Sequence, residues 1–119
     1  MRMEEMSMSV SCCPFNFELI VTIVNRGFAE EVVIASKAAG AEGGTIIRGR
    51  GTGVHEKAKL FGIAIEPEKD IILTLIDKSK TETVLAAVSK AVNLNEPGKG
   101  VAFVLNVEKT IGICHLMER

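Results

Sequence analysis

From residue 17 the chain reads FELIVTIV, a run of about eight positions dense in β-branched and apolar side chains, as in a strand of a well-covered sheet. Asn25-Arg26-Gly27 interrupts the run. Phe28, Val32, Ala35 and Ala39 then recur at helical spacing with Glu30, Glu31 and Lys37 off the stripe, and Gly40 supplies a left-handed stop, so a first amphipathic helix is expected here. Thr45-Ile46-Ile47 predicts a short strand that runs into RGRGTG, a flexible glycine-rich loop from Arg48 to Gly53. Asp70 to Asp77 (DIILTLID) predicts the next strand, and Ser79-Lys80-Thr81-Glu82 has the form of a capping box, in which hydroxyl and carboxylate satisfy orphan backbone donors. Val84, Leu85, Val88, Ala91 and Val92 form the apolar face of the helix that follows. Asn93 to Gly100 ends it, and Val101 to Val107 (VAFVLNV) is the last main strand.

Laid over itself at an offset of about 54 residues, the chain matches strand to strand and helix to helix, with GTIIRG meeting GVAFVL. Two βαβ halves in one small domain predict an α+β fold, the ferredoxin-like βαββαβ sandwich: a four-stranded antiparallel sheet with two helices on one face. A doubly wound α/β sheet needs more helices than the chain offers. With 119 residues there is room for one core. Residues 1–14, rich in Met and Ser and closed by Pro14, read as a mobile extension, and residues 15–119 as the single domain.

Alternation within the strands carries an expectation about assembly. Phe17, Leu19, Val21 and Ile23, with Ile71, Leu73 and Leu75 and with Val101, Phe103, Leu105 and Val107, form a bulky set that two helices could cover. The opposite set is Ile20, Thr22 and Val24, then Ile72, Thr74 and Ile76, then Ala102, Val104 and Asn106. It carries no charge, and an apolar patch of that extent marks an interface, so the protein is expected to oligomerise through its sheet.

Composition narrows the function. Fourteen Lys and Arg (14) against 15 Asp and Glu leave a net charge of -1, without the basic excess that phosphate neutralisation requires, and the only aromatics are 5 Phe. Nucleic-acid binding is not expected. No apolar run approaches the ~18 residues of a membrane span, and acids stand near the start where a signal peptide needs a basic region. A cytoplasmic protein with no direct membrane insertion is the expectation. Cys12 and Cys13 are adjacent and Cys114 stands alone, which is no disulfide framework.

The segment richest in chemistry is RGRGTGVHEKAK, from Arg48 to Lys59. Gly49, Gly51 and Gly53 permit positive φ and let backbone N–H groups approach an anion that Arg50 could clamp. A flexible hairpin explains the same glycines, because the spacing is neither that of a dinucleotide fold nor that of a P-loop. Pro97-Gly98-Lys99-Gly100 is a second loop of this kind, and an oligomer could bring the two together across an interface. His55 and Glu56, beside Lys57 and Lys59, read as solvated loop residues. Cys114-His115 could join Cys12 or Cys13 as soft ligands, but no Cys-x-x-Cys or His-x-His spacing supports a metal site. No nucleophile and base can be paired, and Glu42 beside Gly43 and Gly44 is the one acid near enough to a cleft to serve a small ferredoxin-like enzyme.

With these segments the chain resembles the P-II signal-transduction family over about residues 15 to 115. The carriers are FELIVTIV, RGRGTGVHEK at the base of a long loop, Pro67-Glu68-Lys69 where the third strand returns, and Pro97-Gly98-Lys99-Gly100 followed by VAFVLNVEKTI. The resemblance implies a trimer of ferredoxin-like subunits whose glycine loops enclose an adenine nucleotide between neighbours. It also implies a long loop that docks onto a transporter or enzyme according to what is bound. By position, Gly49, Arg50, Gly51 and Thr52 would flank the nucleotide on one side and Gly98, Lys99 and Gly100 would hold phosphates on the other. The family usually carries a lysine after the last glycine and two arginines near the chain end, where Val101, Gly112 and Cys114 stand here. Losing three cations removes charge-assisted contacts to a polyphosphate, so a less charged ligand such as a mononucleotide, or none, is expected in place of ATP. The long loop is slightly short for the family, and the absence of Tyr excludes regulation by tyrosine modification.

The expected protein is a non-enzymatic trimeric regulator, with no required cofactor and an adenine-nucleotide effector. Its long loop, from Gly51 to Gly62, would dock a transporter or metabolic enzyme through His55, Glu56, Lys57 and Lys59, by resemblance in nitrogen metabolism. The alternative is a metal-linked trimer of the CutA type, which shares the architecture.

Overall fold

The computed structural model describes residues 16–53, 59–60, 63–64 and 67–113. The extension 1–14, all three cysteines, His55, Glu56, Lys57 and His115 lie outside the described residues, and of Lys59 the backbone alone is described.

Strand β1 spans Phe17–Asn25, helix α1 Ala29–Ala38 and β2 Thr45–Arg50; the short β3 and β4 are Lys59–Leu60 and Ile63–Ala64. Then come β5 (Glu68–Asp77), a single 3-10 turn (Lys78–Lys80), helix α2 (Thr81–Ala91) and β6 (Gly100–Val107). The main sheet has the order β2-β5-β1-β6 with every neighbouring pair antiparallel, and β3 pairs with β4 apart from it. Each half is a split βαβ: β1 and β2 run parallel with β5 inserted between them, and β5 and β6 run parallel with β1 inserted. This is the expected ferredoxin-like α+β fold.

The core lies between the sheet and both helices. Ile20, Val24, Ile72 and Ile76 from the central strands meet Ala29 and Val32 of α1 and Val84, Val88 and Val92 of α2 or its end. The covered face is therefore the reverse of the one expected. Ile20, Thr22, Val24, Ile72, Thr74 and Ile76 are each at most 3% exposed, whereas Val101, Phe103 and Leu105 on the other face are 42–50% exposed. The helices present small side chains, Ala29, Val32, Ser36, Val84 and Val88, which approach closely over the compact β-branched Ile, Val and Thr and leave no depth for Phe and Leu. The open face is thus the bulkier and more apolar one.

Local signals shift in the same way. The buried residues of α1 are Ala29, Val32 and Ser36, not the stripe that includes Phe28 and Ala35: Phe28 is the N-cap and 41% exposed. Ser36 is buried because its hydroxyl donates to the Val32 carbonyl at 2.7 Å. Gly40 ends the helix with φ +119° as expected. No capping box forms at Ser79 to Glu82, since Lys80 occupies the N-cap of α2 without a side-chain bond. Asp77 instead caps the preceding 3-10 turn. Its Oδ1 accepts from the Ser79 backbone N–H at 2.8 Å and from the Ser79 hydroxyl at 2.7 Å, and these bonds hold the carboxyl below its ordinary value of 3.8.

Candidate functional site

Antiparallel pairing brings the C-terminal ends of β1 and β2 and the N-terminal ends of β5 and β6 to one end of the sheet. The glycine-rich run from Arg48 and the glycine-lysine loop both lie there, whereas Glu42, which precedes β2, lies at the other end.

On the β2 side the glycine-rich segment is more regular than its composition suggests. Arg48, Gly49 and Arg50 continue the strand, paired with Asp70, Lys69 and Glu68, and only residues 51–53 leave it, with the Gly51 N–H donating to the Pro67 carbonyl at 3.1 Å. Neither Gly49 nor Gly51 has positive φ. The expectation of a flexible loop from Arg48 onward is corrected by this register, which leaves Gly51 and Thr52 at the foot of the long loop and puts Gly49 and Arg50 on the sheet. A cavity of about 230 Å³ opens here, bordered by Arg48, Gly49 and Arg50 of β2, by Glu68, Lys69 and Asp70 of β5, and by Arg26. Four cations face two carboxylates, so the wall is net positive and suited to an anion.

The polar groups around this cavity are mutually arranged. Arg26 forms an ion pair with Glu68, and its backbone N–H donates to the Glu68 carbonyl at 3.3 Å. Asp70 is buried, and its Oδ2 accepts from the Gly27 N–H at 3.0 Å, which fixes the turn into α1. Lys69 is nine-tenths buried and its Nζ donates to the Asn25 Oδ1 at 2.6 Å. The Asn25 Nδ2 donates in turn to the Gly98 carbonyl at 3.0 Å.

On the β6 side the second glycine loop has the backbone that the first lacks. Gly98 has φ +79° and Gly100 φ +143°, and the Lys99 N–H donates to the Glu96 carbonyl. A Cβ on Gly100 would lie 2.5 Å from the Ile23 carbonyl oxygen, so glycine is required there by space as well as by φ. Lys99 is exposed and has room to meet an anion.

The two segments share an end of the sheet but not a contact. β2 and β6 are its opposite edges, three strand spacings or about 14 Å apart. Gly49, Arg50, Gly51 and Thr52 therefore lie at one edge of the sheet and Gly98, Lys99 and Gly100 at the other. Asn25, Arg26 and Asp70 escaped the sequence reading, because their partners lie 42 to 73 residues away. The adjacent polar run Glu68-Lys69-Asp70, set before an apolar strand, was the one local sign.

Between β2 and β5 the long loop carries β3 and β4, paired with Lys59 opposite Ala64. Among the described residues no group of three or more His, Cys, Asp or Glu is placed to hold a metal, and no helix is long and apolar enough to cross a membrane.

None of the curated proteins matches the sequence. A family model described as nitrogen regulatory protein P-II matches residues 17–115, which takes in every element from β1 to β6. With that match over most of its length, on a ferredoxin-like fold whose glycine segments stand at the end of β2 and the start of β6, the chain belongs to the P-II nitrogen regulatory protein family of signal-transduction proteins.

Proposed function

We propose that the chain is one subunit of a homotrimer that binds an adenine nucleotide in the clefts between subunits and controls a transporter or metabolic enzyme through the loop after β2. The observation that carries this reading is the division of the site: an arginine-walled cavity at one edge of the sheet and a left-handed glycine-lysine loop at the other. Each half is incomplete alone, and a neighbouring subunit that sets its β6 edge near the β2 edge of this one closes the site. The open sheet face supports assembly, because Val101, Phe103 and Leu105 stand in solvent in the isolated chain.

In this assembly Arg50 and the amides of residues 51 and 52 meet the nucleotide from one subunit, and Lys99 with the amides of residues 98–100 meets its phosphate from the next. Val101 and Gly112, where the family usually has cations, leave fewer charges for a polyphosphate and favour AMP over ATP. The nucleotide orders residues 51–53 at the foot of the long loop, and the docking surface through His55, Glu56, Lys57 and Lys59 changes with them, an order–disorder switch driven by differential affinity.

A thermal-shift panel of AMP, ADP, ATP, cyclic nucleotides, 2-oxoglutarate and divalent metals, with solution mass measured alongside, tests the reading. A trimer stabilised in a concentration-dependent way by an adenine nucleotide supports it. A monomer, or a trimer indifferent to every nucleotide, overturns it, and stabilisation by copper or zinc alone favours the CutA-type alternative.

A further inference from the structure

The bonds Lys69 to Asn25 and Asn25 to Gly98 cross the sheet from β5 over β1 to the loop before β6. Lys69 directly follows Pro67, whose carbonyl accepts from the Gly51 N–H, and Glu68, which pairs with Arg26. Gly98 opens the glycine-lysine loop. Two segments at opposite sides of β1 are thus joined through one side chain.

We propose that Asn25 is a positioning residue that couples the glycine-lysine loop to the base of the long loop. The coupling rests on the regulator reading above only in what it transmits; the relay itself is a property of the single chain. The chemistry of the carboxamide is specific to this job. Its oxygen must face the Lys69 ammonium, which only donates, and its NH2 must face the Gly98 carbonyl, which only accepts, so both ends are assigned by their partners. Asp offers no donor to the carbonyl, and Leu offers neither group. Lys69 is nine-tenths buried as a residue, so its bond holds the amide in place, and the amide in turn holds the carbonyl of Gly98, a residue at φ +79°. A ligand that orders residues 98–100 fixes the amide and, through it, the β5 end where the long loop re-joins the sheet. By linkage, ordering at the long loop strengthens ligand binding by the same factor.

Hydrogen exchange on the full chain tests this, first without ligand. Lys69→Met keeps length and apolar stem but cannot donate to the amide oxygen, and the relay requires exchange at Lys99 and Gly100 to quicken roughly tenfold. Unchanged exchange there overturns the relay. Asn25→Asp keeps an acceptor for Lys69 and removes the donor to Gly98, so it covers the case in which Lys69→Met does not fold; it should quicken the same amides with little change in melting temperature, and normal exchange in it is equally fatal. With AMP, ADP or ATP added, the wild-type chain should slow exchange at residues 51–53, and Asn25→Asp should lose that response while still binding at higher concentration. An intact response in the variant overturns the coupling. Failure of the wild-type chain to bind any of the three overturns the regulator reading instead and leaves the ligand-free comparison to decide the relay.

Discussion

Two glycines in one four-residue loop should respond very differently to alanine. Gly98 has φ +79°, and a Cβ there meets nothing within 4 Å, so Gly98→Ala carries only the left-handed backbone penalty, about 1 kcal/mol. Gly100 has φ +143°, a region nearly closed to L-residues, which costs roughly 1–3 kcal/mol. Its Cβ would stand 2.5 Å from the Ile23 carbonyl oxygen, 3.0 Å from Val24 Cγ1 and 3.2 Å from Leu94 Cδ2. Val24 pairs with Gly100 across the β1–β6 ladder, so the carbonyl cannot retreat without loosening that pairing. Overpacking adds about 1–3 kcal/mol, which brings the total for Gly100→Ala to roughly 2–6 kcal/mol, a large share of the 5–15 kcal/mol that holds a domain together. Urea titrations followed by circular dichroism, at one protein concentration for all three proteins, measure the difference. Equal losses for the two variants would refute the placement of the β6 start against β1. Gly98→Ala then serves as the folded variant in which the proposed role of the loop in nucleotide binding can be measured.

Three further outcomes follow from the same structure. Thr22 is fully buried with an Oγ1 that has no partner among the described residues, so Thr22→Val, which keeps the branch and removes an unmet polar atom, should stabilise by about 1 kcal/mol and raise the melting temperature by a few degrees; a lower melting temperature would show that the hydroxyl is bonded in the native protein. Phe103→Asp sets a charge on the exposed apolar side of β6, and light scattering should report loss of the proposed trimer with the far-ultraviolet spectrum retained; an unchanged mass would refute an interface through this strand. The Asp77 carboxyl is held below 3.8 by the Ser79 bonds, so its contribution is present above that pH and fades as pH falls through the depressed folded-state value. Asp77→Ala should lower stability by up to about 1 kcal/mol at pH 7 and narrow the gap to wild type under acid, and no loss at pH 7 would rule out the cap.

Element order was legible because it rests on local pattern: FELIVTIV, DIILTLID and VAFVLNV became β1, β5 and β6, and the duplication fixed the topology. The covered face was not legible. Alternation separates Ile20, Thr22 and Val24 from Leu19, Val21 and Ile23, but with both sets apolar it cannot say which one meets the helices. The choice is made by volume, through Ala29, Ser36 and Val88 on the facing helices, and volume is a property of two elements together. The site divides along the same line. Gly98, Lys99 and Gly100 form a short-range motif whose left-handed φ values the sequence anticipates, whereas Gly49 and Arg50 are drawn into β2 by pairing with Lys69 and Glu68, which no local signal announces. Asn25 and Asp70 acquire their roles solely through partners in distant parts of the chain. A fold built by duplication explains why these long-range contacts gather at one end. Each half ends its strands there, so the turns after β1 and β2 and those before β5 and β6 face each other, and polar residues placed in those turns are brought within bonding distance by the sheet. The same geometry keeps the two glycine segments at opposite edges of the sheet, which is why the proposed site needs a neighbouring subunit to complete it.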